Sequence, residues 1–171
     1  MRTTDCFLRA SVMTFLFFSL TAVASPVSAR EVVRFEGYPA GSIVIKTGQR
    51  RLYFVTSGGR AVRYSVGVGK SGMQWAGHSR ITGKYLEPDW VPPDDIRRAN
   101  PRLPSIIPSG SPGNPLGAAA LTLHDDYAIH GTNRPDSIGR FVSHGCIRMH
   151  DQDVLDLYRR VTVGTPVIVQ H

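Results

Sequence analysis

The sequence predicts a mainly β domain of β-sandwich-like architecture, with one or two short helices and a long proline-rich loop. Three observations carry this expectation. Short runs rich in β-branched and aromatic residues recur from residue 42 onward, separated by turns that contain glycine. Only one stretch, near the C-terminus, places apolar residues at helical spacing. The span Glu87 to Pro115 holds eight prolines, each lacking a backbone donor, so no regular element runs through it.

Taken in order, residues 1–29 read as a secretory signal peptide. Arg2 and Arg9 make a basic start, Val12 to Ala24 is mostly apolar, and Val27-Ser28-Ala29 supplies small residues for cleavage. The apolar run is short for a membrane span, which needs about 20 residues. No later segment is long and apolar enough to cross a bilayer. An uncleaved anchor is the alternative. Residues 30–40 form a lead-in, and 41–170 the single domain, long enough to bury a core without disulfide staples.

Within that domain, Ser42 to Lys46 and Arg51 to Thr56 read as strands. Ser57-Gly58-Gly59-Arg60 follows, and then Val62, Tyr64, Val66 and Val68 alternate with small or polar residues, so a β-hairpin turns at the glycines. Glycines and polar residues punctuate Lys70 to Gly83, around Trp75 and His78. The proline-rich span beyond allows one helical turn near Asp94 to Ala99. A loop that long in a compact domain is usually functional or flexible, and here it is expected to wall or cover a site. Ala118 to Leu123 and Asp126 to His130 make a second hairpin, turned at His124-Asp125. Asp151 to Val161 is the convincing helix, with Val154, Leu155, Leu157, Tyr158 and Val161 on one face and Asp151 as N-cap. Val167-Ile168-Val169 closes the domain as a strand.

The formal net charge is +7. Without residues 1–29 it stays at about +6, since Arg2, Arg9 and Asp5 leave together. A basic surface suits an anionic envelope polymer. Nucleic acid is excluded as a partner because the chain carries an export signal and its arginines form scattered pairs rather than a stripe. Of the two cysteines, Cys6 leaves with the signal peptide and Cys146 remains alone. An unpaired thiol in an exported protein points to intermolecular pairing or to a reactive sulfur.

The setting of Cys146 favours the reactive sulfur. It sits in Ser143-His144-Gly145-Cys146-Ile147-Arg148-Met149, and His130 lies sixteen residues upstream in Ile129-His130-Gly131-Thr132. A free thiol, with a pKa of about 8.5, needs a base or cation nearby to form thiolate near neutral pH. Gly145 lets the backbone bend so that amide N–H groups can face a developing oxyanion. His144 shares a face with Cys146 on extended chain, so spacing leaves His130 and His144 both open as the base. Two other readings compete. Cys146 and His130 are a small buried hydrophobe and a core histidine, or His124, His130, His144, Cys146 and His150 bind zinc. No spacing among these matches a usual zinc pattern.

In these motifs the chain resembles the L,D-transpeptidase catalytic domain family (YkuD-type), in particular its exported proteobacterial branch. The matching residues are Ile129 to Asn133, Ile138-Gly139, Ser143 to Met149, Pro112 to Gly117 and the tail from Arg159 to Val169. Papain-like and NlpC-type peptidases place cysteine before histidine, opposite to the order here. The resemblance implies Cys146 as nucleophile and His130 as general base, oriented by a backbone carbonyl. It implies that Ser143, His144, Gly145, Gly131 and Thr132 shape the site, and that Arg148 lies near substrate. It further implies a periplasmic enzyme without metal or organic cofactor, acting on peptidoglycan stem peptides. Acyl transfer from a tetrapeptide stem would release terminal D-Ala and give 3→3 cross-links or attachment of an anchored lipoprotein. Two readings compete at the level of activity: an L,D-carboxypeptidase using the same thiol, and a non-catalytic wall-binding or zinc-stabilised domain. Many relatives of this branch carry a LysM-like module, whereas here a dozen residues precede the domain, so targeting is expected to rest on the cleft and the positive charge. The resemblance assigns no role to His78 or to the tryptophans.

Overall fold

The computed structural model describes residues 30–171, so the signal-peptide expectation for 1–29 lies outside the described residues. Twelve strands and two α-helices follow one another along it. They are β1 (Arg30–Arg34), β2 (Ile43–Lys46), β3 (Arg51–Thr56), β4 (Arg60–Ser65), β5 (Val68–Gly69), β6 (Gly77–Arg80), β7 (Gly83–Leu86), α1 (Asp94–Ala99), β8 (Ala119–Thr122), β9 (Ala128–His130), β10 (Phe141–Ser143), β11 (Ile147–Arg148), α2 (Asp151–Arg160) and β12 (Pro166–Gln170). Six strands form the main sheet in the order β1-β4-β3-β2-β12-β6, and four form a second in the order β11-β9-β8-β7. A short pair, β10 with β5, bridges them in parallel.

The expected Gly58-Gly59 hairpin is present, with β3 and β4 antiparallel from Arg51↔Ser65 to Thr56↔Arg60. Alternation along β2 serves two cores. Ile43 and Ile45 face a large cluster with Leu52, Tyr64, Leu121, Ile129, Val154 and Leu157, while Val44 turns to a small one with Tyr53, Val55 and Ala61. Phe35 and Tyr38 stack to cover that second face, with Phe35 also 4.2 Å from the Tyr53 ring. The residues read as a lead-in therefore include structure: Arg30 to Arg34 pairs with β4 along its whole length. Burial on both faces explains why β2 reads as a continuous apolar run rather than as an alternation.

Some local expectations differ from the structure. The punctuated stretch Lys70 to Gly83 contains β6, an edge strand antiparallel to β12. The second hairpin turns over three residues, with Leu123 N–H donating to the Tyr127 carbonyl and left-handed backbone at Asp125 and Asp126 (φ 59° each). The sheets are mixed, since β12–β2 and β11–β9 are parallel. Helix α2 starts at Asp151 itself, with His150 in the capping position and no side-chain cap. Asp151 is thus the first helical residue, and its carboxylate does something else. Oδ1 accepts the N–H groups of Ala118 (3.2 Å) and Thr132 (3.0 Å), tying the start of α2 to the loops on either side of β8 and β9.

The other end of α2 is tied down by Lys84 on β7. Its ammonium donates to the Tyr158 (2.7 Å) and Val161 (2.6 Å) carbonyls and lies 4.2 Å from the Tyr158 ring centroid. A cation at a helix C-terminus satisfies orphan carbonyls and complements the dipole. Lys84→Met keeps most of the apolar stem and deletes the charge, and should cost about 1.5–3 kcal/mol of stability in urea unfolding. A change below about 0.5 kcal/mol would show that the contact is incidental.

Candidate active site

Strands β9 and β11 build the site. They pair in parallel with Ile147 opposite Ile129 and Arg148 opposite His130. Both isoleucines are fully buried in the large core. Period-2 alternation then turns His130 and Arg148, with Cys146 just ahead of β11, to the other face. All three line one cleft of about 370 Å³. Cys146 and His130 are two residues out of register on neighbouring strands, a diagonal of roughly 8 Å between backbones, which two converging side chains can span.

The proline-rich span forms the facing wall. Trp90, Pro93, Ile96, Pro115 and Leu116 line the same cleft. This wall is ordered by its own hydrogen bonds. Trp90 and Ile107 exchange backbone bonds of 2.8 Å, and the buried Asn114 amide donates to the Pro88, Ile107 and Pro108 carbonyls.

His130 is 4 % exposed. Its Nδ1 lies 2.6 Å from the Gly131 carbonyl. A carbonyl can only accept, so Nδ1 carries the hydrogen and Nε2 keeps its lone pair. Burial pushes the imidazole pKa down to about 4, against the pull of the Gly131 and Pro115 carbonyls. Burial likewise pushes the Cys146 thiol up, opposed by a backbone hydrogen bond from Ala128 and by the Arg148 guanidinium, while Asp126 raises it further. The free site therefore holds a neutral thiol and a neutral imidazole. The cation that acts on the sulfur is Arg148.

The turn before Cys146 is stapled by Ser143. Its hydroxyl donates to the Cys146 carbonyl (2.6 Å) and accepts the Gly145 N–H (3.1 Å). Gly145 has φ +125°, and a Cβ there would overlap the Tyr127 ring, so both conformation and space require glycine. His144 is exposed, with Nε2 3.3 Å from the Lys70 ammonium. Spacing could not separate the two histidines. The fold buries one with a fixed tautomer and leaves the other at the rim. Thr132 does not line the cysteine cleft; its N–H is held by Asp151, and Gly131 leaves room for that carboxylate, which a Cβ would overlap. Among the described residues, no three His, Cys, Asp or Glu side chains are placed to hold a metal ion.

Sequence reading missed Trp75, Tyr127, Lys70 and the Asp151 staple. Nothing in local spacing links residue 75 or 151 to a motif at 143–149. Fold and site together define the class: a β-rich domain presenting a cysteine and a histidine in one cleft. Within that class the chain belongs to the L,D-transpeptidase catalytic domain family (YkuD), whose model matches residues 40–169. It is 37% identical over 134 residues to the probable L,D-transpeptidase YbiS of Escherichia coli K12, covering 73% of this chain and 43% of that protein. With the putative L,D-transpeptidase YqjB of Bacillus subtilis it shares 41% identity over 113 residues, 62% of this chain and 57% of the relative. The chain thus spans less than half the length of YbiS and a little over half that of YqjB. The fold matches L,D-transpeptidase 3 of Mycobacterium tuberculosis with TM-score 0.56 at 19% identity, covering 76% of this chain and 60% of that one.

A Brucella melitensis structure described as a probable carnitine operon oxidoreductase is 40% identical, with TM-score 0.56 and coverage of 82% of this chain and 92% of that one. Gly67, Gly69 and Gly72 do match the letters of a dinucleotide fingerprint. That motif needs a helix whose N-terminus meets the phosphates. Here the glycines lead from β4 through β5 to β6 with no helix between, and Gly69 makes room for the Met73 carbonyl.

Proposed function

We propose that this chain is a periplasmic peptidoglycan L,D-transpeptidase in which Cys146 is the nucleophile and His130 the general base. The observation that carries the reading is the register of β9 and β11, which turns both residues into one cleft while the intervening isoleucines anchor the strands in the core. Export to the periplasm rests on residues 1–29, read as a signal peptide.

In the first step Cys146 attacks the carbonyl of the third residue of a tetrapeptide stem, and its proton passes to Nε2 of His130. The tetrahedral intermediate collapses, the bond to terminal D-Ala breaks, and the departing amine takes the proton from Nε2. A Cys146 thioester remains. In the second step an acceptor amine gives its proton to Nε2 and attacks the thioester, and the sulfur leaves with that proton. The cycle needs an unprotonated Nε2 at the start, which burial of the ring and the Nδ1–H bond to the Gly131 carbonyl favour. Arg148 lines the same cleft, and its guanidinium suits a substrate carboxylate or carbonyl there.

The acceptor decides between cross-linking, lipoprotein attachment and hydrolysis. Incubation with tetrapeptide-containing sacculi, followed by muropeptide analysis, should show free D-Ala and 3→3 cross-linked dimers. Tripeptides without cross-links would reassign the chain as an L,D-carboxypeptidase, and unchanged muropeptides would remove the catalytic reading.

A further inference from the structure

Trp75 and Tyr127 lie outside every motif that carries the family resemblance, yet both bear on the peptide that precedes the nucleophile. The indole Nε1–H donates to the Gly145 carbonyl at 3.1 Å. The two rings stack at 4.9 Å between centroids and 7° between planes, and Tyr127 covers the Cα of Gly145. Ser143 meanwhile claims the Gly145 N–H and the Cys146 carbonyl. The Cys146 N–H donates to none of these groups. In a trans peptide the C=O and the following N–H point in opposite directions. An indole that fixes the Gly145 carbonyl therefore fixes the direction of the Cys146 N–H, away from Trp75. Trp75 is absent from the cleft lining, whereas Ser143, His144 and Cys146 belong to it.

From this geometry we infer that Trp75 is a positioning residue: it aims the Cys146 N–H at the oxyanion that forms when the thiol attacks a carbonyl, with Tyr127 holding the indole in place. The inference rests on the acyl-transfer reading above. A donor aimed at developing charge acts in the transition state and not on bound substrate, so its loss lowers kcat more than it raises KM. Alkylation of the sulfur by iodoacetamide passes through no oxyanion and does not use the donor.

Trp75→Phe keeps an aromatic ring for the stack and removes the N–H together with part of the indole's area. With a tetrapeptide muropeptide as acyl donor and intact-mass detection of the thioester, acylation should fall about 10- to 100-fold, mostly in kcat, while the iodoacetamide rate stays within about twofold of wild type. An unchanged acylation rate overturns the inference alone. Equal loss in both reactions also overturns it, since it marks a general disturbance of the turn. Wild type that alkylates but never acylates overturns the acyl-transfer reading, and the inference falls with it.

Discussion

Cys146→Ala should abolish formation of any covalent adduct with a tetrapeptide donor and stop release of D-Ala, with no residual turnover above background. No other described cysteine can substitute, because Cys146 is the only one among the described residues. The loss should leave the fold intact. The thiol is neutral in the free site, pushed up by burial, so its removal strands no buried charge and breaks no ion pair. What remains is a sub-methyl-sized gap in a cleft already open to solvent, worth less than about 1 kcal/mol in urea unfolding. Intact-mass analysis after incubation with donor reads the first effect and denaturation the second. Substantial D-Ala release by the alanine variant would remove the sulfur from the mechanism, whatever the fold does. The same raised thiol predicts how wild type alkylates. Its iodoacetamide rate should climb only above the pH at which an ordinary thiol ionises, because in the proposed mechanism activation comes from proton transfer to Nε2 during attack.

Much of the fold follows from patterns that one strand or helix carries within itself. The β3–β4 hairpin shows in the alternation on both sides of Gly58-Gly59, α2 in the spacing of Val154, Leu157 and Val161, and β12 in its β-branched run. The elements that escape are those whose stability comes from a partner. Strands β5 and β11 have two residues each, too few for any period to register, and exist because Phe141 and Ser143 lie beside β5 and Gly67 and Ile129 beside β11. Asp151 looks like an N-cap because Asp favours that position. Its carboxylate finds better company in two N–H groups from separate loops, one nineteen and one thirty-three residues away. The site divides the same way. The Ser143 to Arg148 motif and His130 are legible because their chemistry is tied to residue type. Trp75 is not, since a single hydrogen bond across seventy residues leaves no local trace.

His130→Gln tests the other half of the pair through two readouts with different origins. Without a base at Nε2 the thiol must ionise unaided, against a pKa already raised by burial, so acyl transfer should fall by about 10²–10⁴ at neutral pH. The second readout is stability. In the folded chain His130 takes a proton only near pH 4, whereas in the unfolded chain an ordinary histidine does so near 6.5. Between those values the unfolded state binds the extra proton, and stability falls as pH drops through the window. Above about pH 6.5 both states are neutral and the full stability is present. The shift corresponds to about 3 kcal/mol lost between pH 6.5 and 4, from this one buried ring. Glutamine does not titrate, so the variant should lose that slope while other groups keep theirs. Urea unfolding of both proteins from pH 4 to 7 isolates the difference. Matching slopes would mean that His130 is solvated and charged in the native protein at pH 5, and a base already holding a proton could not accept one from Cys146.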